Sequence, residues 1–156
     1  MNKFATALTL SAVMALPTLA EAGKVSMFTE MKRYNGPGAY LAFYVTDSKG
    51  RYIDTLWISG GKTKYYKHFS DWSRASGHNL ADVQGVTGAS TGSGNVRILS
   101  LDISNALIDA GYELHIDASV EDFRDSPSEI VVPLTSSNAG KTTKGRRYIK
   151  SFKFSM

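Results

Sequence analysis

The stretch that decides the fold is Tyr40-Leu41-Ala42-Phe43-Tyr44-Val45-Thr46-Asp47-Ser48-Lys49-Gly50-Arg51-Tyr52-Ile53-Asp54-Thr55-Leu56-Trp57-Ile58-Ser59. Tyr40 to Val45 is dense in aromatic and β-branched residues, the signature of a strand. Asp47 to Gly50 reads as a turn, because Asp bonds its own backbone and Gly accepts a positive φ. Arg51 to Ser59 is then the return strand of a hairpin, closed by Gly60-Gly61-Lys62. Strand alternation puts Phe43 and Val45 on one face, and Leu41 and Ala42 are expected not to share it.

Outward from the hairpin, the chain continues in short pieces. Val25 to Tyr34 holds a first strand. Tyr66 to Ser76 is the one good helix candidate, with Phe69, Trp72 and Ala75 on one stripe and Gly77 as a stop. A polar, Gly-rich stretch runs from Asn79 to Asn95, followed by a strand over Val96 to Leu101. Ser104 to Asp109 is a helical turn or a loop. Tyr112 to Val120 alternates, with Tyr112, Leu114, Ile116 and Ala118 on one face and Glu113, His115, Asp117 and Ser119 on the other. Ile130-Val131-Val132 is a short buried strand. Thr135 to Arg146 is a loop, and Tyr148, Phe152 and Phe154 sit in a last strand. Seven strands and one helix predict a mainly β protein, an antiparallel β-sandwich of immunoglobulin-like type, with a barrel as the alternative.

The chain has 156 residues, a length suited to a single domain. It has no cysteine, which excludes disulfides, thiolate metal sites, a thiol nucleophile and haem attachment through C-x-x-C-H. Lys+Arg 18 against Asp+Glu 14 gives a net charge of +4, too thin an excess for a nucleic-acid stripe. Met1 to Ala22 reads as a secretory signal peptide: Lys3, an uncharged apolar run from Phe4 to Leu16, Pro17, and the A-x-A site Ala20-Glu21-Ala22. The run is too short to span a bilayer, which takes about 20 apolar residues. The expected organisation is a leader over 1–22 and one sandwich domain over 23–156, placed in the periplasm without stable membrane insertion.

Few residues offer chemistry of their own. His68, His78 and His115 lack the spacing of a helix-borne metal site and read as surface histidines, with His115 on the polar face of its strand. Glu121, Asp122 and Asp125 lie in a loop without the D-x-D-x-D-G pattern of a calcium site. No G-x-S-x-G elbow is present. With neither a nucleophile–base pair nor a metal-binding constellation legible, the chain does not read as an enzyme. Lys141, Lys144, Arg146 and Arg147 offer charge for a phosphate or a membrane surface, but the favoured reading is a solvated hairpin loop with gatekeeper charges beside Phe152 and Phe154. The segment that stands out is Gln84-Gly85-Val86-Thr87-Gly88-Ala89-Ser90-Thr91-Gly92-Ser93-Gly94, where hydroxyls alternate with small residues. Small residues let a bulky group approach the backbone, and hydroxyls are open to covalent modification. On composition alone the segment is a flexible Gly/Ser loop.

The order of segments resembles a bacterial exported family, the domain-of-unknown-function family 2271. The matching pieces are Tyr40 to Gly50, Tyr52 to Trp57, Tyr65-Tyr66 with Trp72, Gly85 to Ser90, Ala110-Gly111-Tyr112 and Ile149 to Phe152. The chain departs from the family at Leu101-Asp102-Ile103, where a Trp-Asp-Gly turn is common. Thr87-Gly88-Ala89-Ser90 also resembles the target motif of FAD:protein FMN transferase, D-x-x-[S/T]-G-A-[T/S], with Gln84 where the motif has Asp. That resemblance implies a covalent FMN on Ser90, with Thr91 as the fallback acceptor and Thr87, Gly88 and Ala89 around it. It also implies the transferase and a membrane-bound flavin or haem redox protein as partners. Tyr65, Tyr66 and Trp72 are candidates to flank the flavin ring or to pack as core, core being the better reading of Trp72. The alternative function is a cofactor-free sandwich that scaffolds a partner or binds a small ligand.

The A-x-A site gives the first prediction. Mass spectrometry of the exported protein should find Gly23 at its N-terminus, and Met1 retained in the mature pool would refute the cut.

Overall fold

The hairpin forms where its pattern places it. In the computed structural model, which describes residues 21–156, strand β2 (Tyr40–Thr46) pairs antiparallel with β3 (Tyr52–Ser59). The register sets Leu41 opposite Ser59 and Phe43 opposite Trp57, and slips after Phe43. Asp47 makes the turn: its Oδ1 accepts the Lys49 and Arg51 N–H groups, both at 2.9 Å, and Gly50 takes φ 74°. The leader reading falls almost wholly on residues 1–20, outside the described residues.

Two sheets pack face to face. One has three strands in the order β5–β1–β8, built from β1 (Ala22–Met31), β5 (Val96–Ser104) and β8 (Ile149–Ser155). The other has five in the order β4–β3–β2–β6–β7, adding β4 (Thr87–Gly88), β6 (Glu113–Ser119) and β7 (Ser126–Pro133). All pairings are antiparallel except β3 with β4. The sandwich is as expected and the barrel alternative is not adopted. The described residues hold eight strands rather than seven, because Thr87 and Gly88, expected in a flexible loop, pair in parallel with Ile58 and Ser59. The first strand spans Ala22–Met31, three residues ahead of the expected Val25 to Tyr34 at each end.

Alternation divides the buried side chains into two clusters. Leu41, contrary to expectation, shares the face of Phe43 and Val45, as its two-residue spacing from Phe43 requires, and the three meet Val25, Met27 and Met31 of β1, Leu114 and Ile116 of β6, and Phe152 and Phe154 of β8 between the sheets. Ala42 and Tyr44 point the other way, into a second cluster with Ile58, Tyr66, Phe69, Trp72 and Val83. That cluster is roofed by a 3₁₀ turn over Thr63–His68 and by helix α1 (Ser70–Ser76).

The roof corrects two readings. The expected helix over Tyr66 to Ser76 is broken at Phe69, whose φ −81° and ψ 75° are not helical. The break follows from a cap supplied across the sheet: Asp117 Oδ2 accepts the Asp71 N–H at 3.1 Å and the Trp72 N–H at 2.8 Å, so the α-helix starts afresh at Ser70. The polar face of β6 is also not a solvent face. Asp117 is fully buried, Ser119 is nearly so, and the His115 side chain is only 14% exposed. The His115 ring stacks on Tyr44 with centroids 5.1 Å apart, and its Nε2 lies 3.0 Å from Thr46 Oγ1.

Two predictions follow from the roof. Trp72 is fully buried and donates its indole N–H to Thr55 Oγ1 at 2.8 Å. Truncating a buried Trp to Ala costs roughly 3–5 kcal/mol, against a total stability of about 5–15 kcal/mol. Trp72→Ala should therefore leave a marginal fold in urea titration; a loss below about 1 kcal/mol, the surface range, would refute the packing. Burial holds the His115 imidazole below its ordinary value, against the Glu113, Asp117 and Asp71 carboxylates that favour the charged ring. Its Nδ1 is buried without a partner, as suits a neutral ring. The unfolded chain then binds the proton more readily than the fold does, so stability rises with pH in the window just below about 6.5 and is lost as pH falls. Denaturant midpoints across that window should show the slope in the wild type and a flatter one in His115→Gln.

Candidate functional site

The segment singled out by sequence leaves the roof and runs along the edge of the five-stranded sheet. A 3₁₀ turn over Leu80–Val83 ends at Gln84, which is exposed. Asp82, the nearest acid to the motif, is engaged elsewhere: it accepts from Asn79 Nδ2 at 2.9 Å and from the Tyr52 hydroxyl at 3.2 Å. Val86 and Gly88 then accept the Ile58 and Gly60 N–H groups at 2.8 and 2.7 Å. Gly88 is required by packing, since a Cβ there would sit 2.5 Å from the Trp57 ring.

Beyond Gly88 the segment is bonded to both sheets. Ala39 and Thr91 exchange backbone hydrogen bonds at 2.7 and 2.9 Å. Ser59 Oγ donates to the Ala89 carbonyl at 2.6 Å. Arg97, from β5 of the opposite sheet, donates to the Ala89 carbonyl at 2.9 Å, the Ser90 carbonyl at 3.1 Å and Thr91 Oγ1 at 3.1 Å. A Gly/Ser segment held this way is not a flexible loop.

The hydroxyls consequently differ. Thr91 is buried, and its Oγ1 is shared between Arg97 and Ser59, the latter at 3.0 Å. It does not suit the fallback acceptor role. Thr87 is exposed but lies within β4. Ser90 is half-buried, and among the described residues no hydrogen bond occupies its Oγ. Gly38 faces it closely: a Cβ at Gly38 would lie 2.7 Å from Ser90 Oγ, so the glycine keeps the hydroxyl uncovered.

Ser90 opens into a cleft of about 500 Å³. Tyr40 and Tyr65 form one wall, edge to face at 5.5 Å between centroids, and Phe123 stands on the rim. Tyr65 donates its hydroxyl to Glu121. Of the three aromatics proposed to flank a ring, only Tyr65 reaches the cleft; Tyr66 and Trp72 are buried core. The cleft also contains a pair that sequence reasoning missed. His68 Nδ1 lies 3.1 Å from Asp125 Oδ2, and Asp125 Oδ1 accepts from Ser119 Oγ at 2.9 Å. His68 and Asp125 are 57 residues apart, and no local motif announces them. His78 bonds Ser73 Oγ at 2.9 Å beside the helix end and takes no part.

Among the described residues, no three His, Cys, Asp or Glu side chains converge as a metal site, and no helix is long and apolar enough to cross a membrane. Neither a curated protein nor a solved structure matches the chain. A family profile does match, over residues 22–151, with the description "Predicted periplasmic protein (DUF2271)". That span covers the sandwich as far as Ser151 in β8, with the Ser90 segment and the cleft walls, and the chain belongs to this periplasmic family, DUF2271.

Proposed function

We propose that the protein is a periplasmic carrier of covalent FMN, joined through a phosphoester to Ser90. The observation that supports this reading most is the contrast between adjacent hydroxyls. Ser90 Oγ is uncommitted at the mouth of an aromatic cleft, whereas Thr91 Oγ1 is buried and twice bonded. The residues suit the group: about 500 Å³ lies within the range of small-molecule pockets, and Gly38 leaves the approach to Ser90 open.

In the attachment step, Ser90 Oγ bonds to the phosphorus of the FMN half of FAD. The phosphoanhydride bond breaks, AMP leaves, and the hydroxyl proton is lost. FMN:protein ligation of this kind requires the exported transferase as a partner. Bound FMN supplies one- and two-electron transfer. The chain supplies position: Tyr40 and Tyr65 offer an apolar wall, Lys62 a positive charge on the rim, and Arg97 fixes the Ser90 backbone. The electron donor in this reading is a membrane-bound flavin or haem reductase, and the protein relays electrons without catalysing a reaction of its own.

Co-expression with the transferase tests the reading. A yellow protein carrying one FMN of added mass is expected, and Ser90→Ala should abolish the adduct, while Thr91→Ala should retain it wherever the variant folds. Gln84→Asp should raise the modified fraction, because it restores the motif's acid at an exposed position. If no adduct forms on either the wild type or Gln84→Asp, the reading fails and the cofactor-free scaffold replaces it.

A further inference from the structure

We infer that Arg124, Arg146 and Arg147 form a binding site for a phosphate-bearing anion, separate from the Ser90 cleft and independent of the flavin reading. The three arginines come from two distant pieces of chain, the β6–β7 turn and the loop before β8, and line one groove of about 600 Å³ with Asp125, Ser126 and Pro127. Sequence alone favoured a solvated loop for Arg146 and Arg147 over a phosphate or membrane-surface site, and did not bring Arg124 to them.

Buried polar groups hold the groove in shape. Glu129, only 2% exposed, accepts the N–H groups of Arg147, Tyr148 and Ile149 at 2.6, 2.9 and 3.0 Å, and the Ser126 hydroxyl as well. Tyr148 donates its hydroxyl to the Arg124 carbonyl at 2.5 Å, tying one wall of the groove to the other. Arg146 donates to the carbonyls of Pro127 and Ser128, the latter at 3.0 Å. A side chain at Gly145 would strike the Ile149 carbonyl at 2.4 Å, so the loop reaches this shape only with glycine there.

The charges in the groove are not balanced. Two carboxylates stand near it, Asp125 in its wall and Glu129 behind it, and they are bonded to Ser119, His68 and backbone N–H groups rather than to the arginines, so the three guanidinium charges exceed them by one. Among the described residues, none of the three arginines pairs with a carboxylate. Like charges held together in a fixed groove favour an incoming anion, and the guanidinium fork matches phosphate oxygens with paired hydrogen bonds. A concave site bounded by Pro127 and Ser126 suits a compact group such as a phosphate, free or on a lipid head.

Titration of the mature protein with inorganic pyrophosphate, followed by amide shifts in ¹⁵N NMR, tests the site. The ionic strength is held near 0.15 M, where the Debye length is about 8 Å and generic attraction is screened. Saturable shifts around residues 124–128 and 145–148 are expected. Arg124→Gln/Arg147→Gln should weaken binding at least about tenfold, the loss expected for charge-assisted hydrogen bonds. Lys141→Gln/Lys144→Gln, which removes the same charge outside the groove, should leave it unchanged. Both pairs are exposed, and unchanged thermal melts confirm that each variant is folded. Phosphatidylglycerol vesicles run in parallel distinguish the source: loss of vesicle binding in the arginine pair alone assigns a lipid phosphate, and no vesicle binding assigns a soluble one. Absence of saturation with both probes, or equal loss in the two double variants, overturns the proposal.

Discussion

The roof of this protein hangs on one buried carboxylate. Asp117 sits on β6 with no solvent exposure, and four groups from three other elements converge on it. Asp71 and Trp72 give it the first N–H groups of α1, Ser128 of β7 gives an N–H at 2.8 Å, and Tyr44 of β2 gives its hydroxyl at 3.2 Å. Burial pushes its carboxyl up, while the Trp72 and Ser128 N–H groups pull the other way by favouring the charged form. A seven-residue helix has little intrinsic stability, since isolated helices shorter than about 12–15 residues are marginal in water. Its start is therefore set by the sheet beneath it. The Asp71 carboxylate completes the joint by accepting from Ser128 Oγ at 2.6 Å.

From this joint the cleft takes its form. Fixing the start of α1 at Ser70 sets Phe69 and Trp72 into the second cluster, edge to face at 6.1 Å. Tyr66 follows them in, donating its hydroxyl to the Gly60 carbonyl at 2.7 Å. The 3₁₀ turn between must then present the opposite side of the chain, and that side carries Tyr65 and His68. Tyr66, Phe69 and Trp72 keep the three-residue spacing of one face across the break, and all three are buried, while Tyr65 and His68 of the 3₁₀ turn line the cleft.

What the sequence made legible follows from which signals are local. The β2–β3 hairpin and its Asp-Ser-Lys-Gly turn were readable because the alternation and the turn chemistry lie within one stretch. The apolar face of β6 was readable for the same reason. Its polar face was misread, because alternation reports which face is polar and not whether another layer covers it. Asp117 and His115 look like solvent residues until α1 is placed over them. The His68–Asp125 pair and the three-arginine groove depend on contacts across the fold, so no spacing in the sequence could reveal them. Thr87-Gly88-Ala89-Ser90 was legible as a motif but not as a structure. Composition suggested flexibility, whereas Arg97 and the β3 edge fix the segment in place.

The Ser90 cleft and the arginine groove share a wall, and Asp125 is the residue they share. Its two oxygens face different partners, one toward His68 and one toward Ser119, so it orients the imidazole and braces the end of β6 together. Arg124, the preceding residue, is held through its carbonyl by Tyr148. Adjacent residues of the shared wall are thus hydrogen-bonded to different parts of the fold: Arg124 through its carbonyl to Tyr148, just ahead of β8, and Asp125 through its side chain to Ser119 at the end of β6 and to His68. The Asp125 carboxylate is turned to the cleft side by those two bonds, which is why the arginines of the groove have no carboxylate partner there.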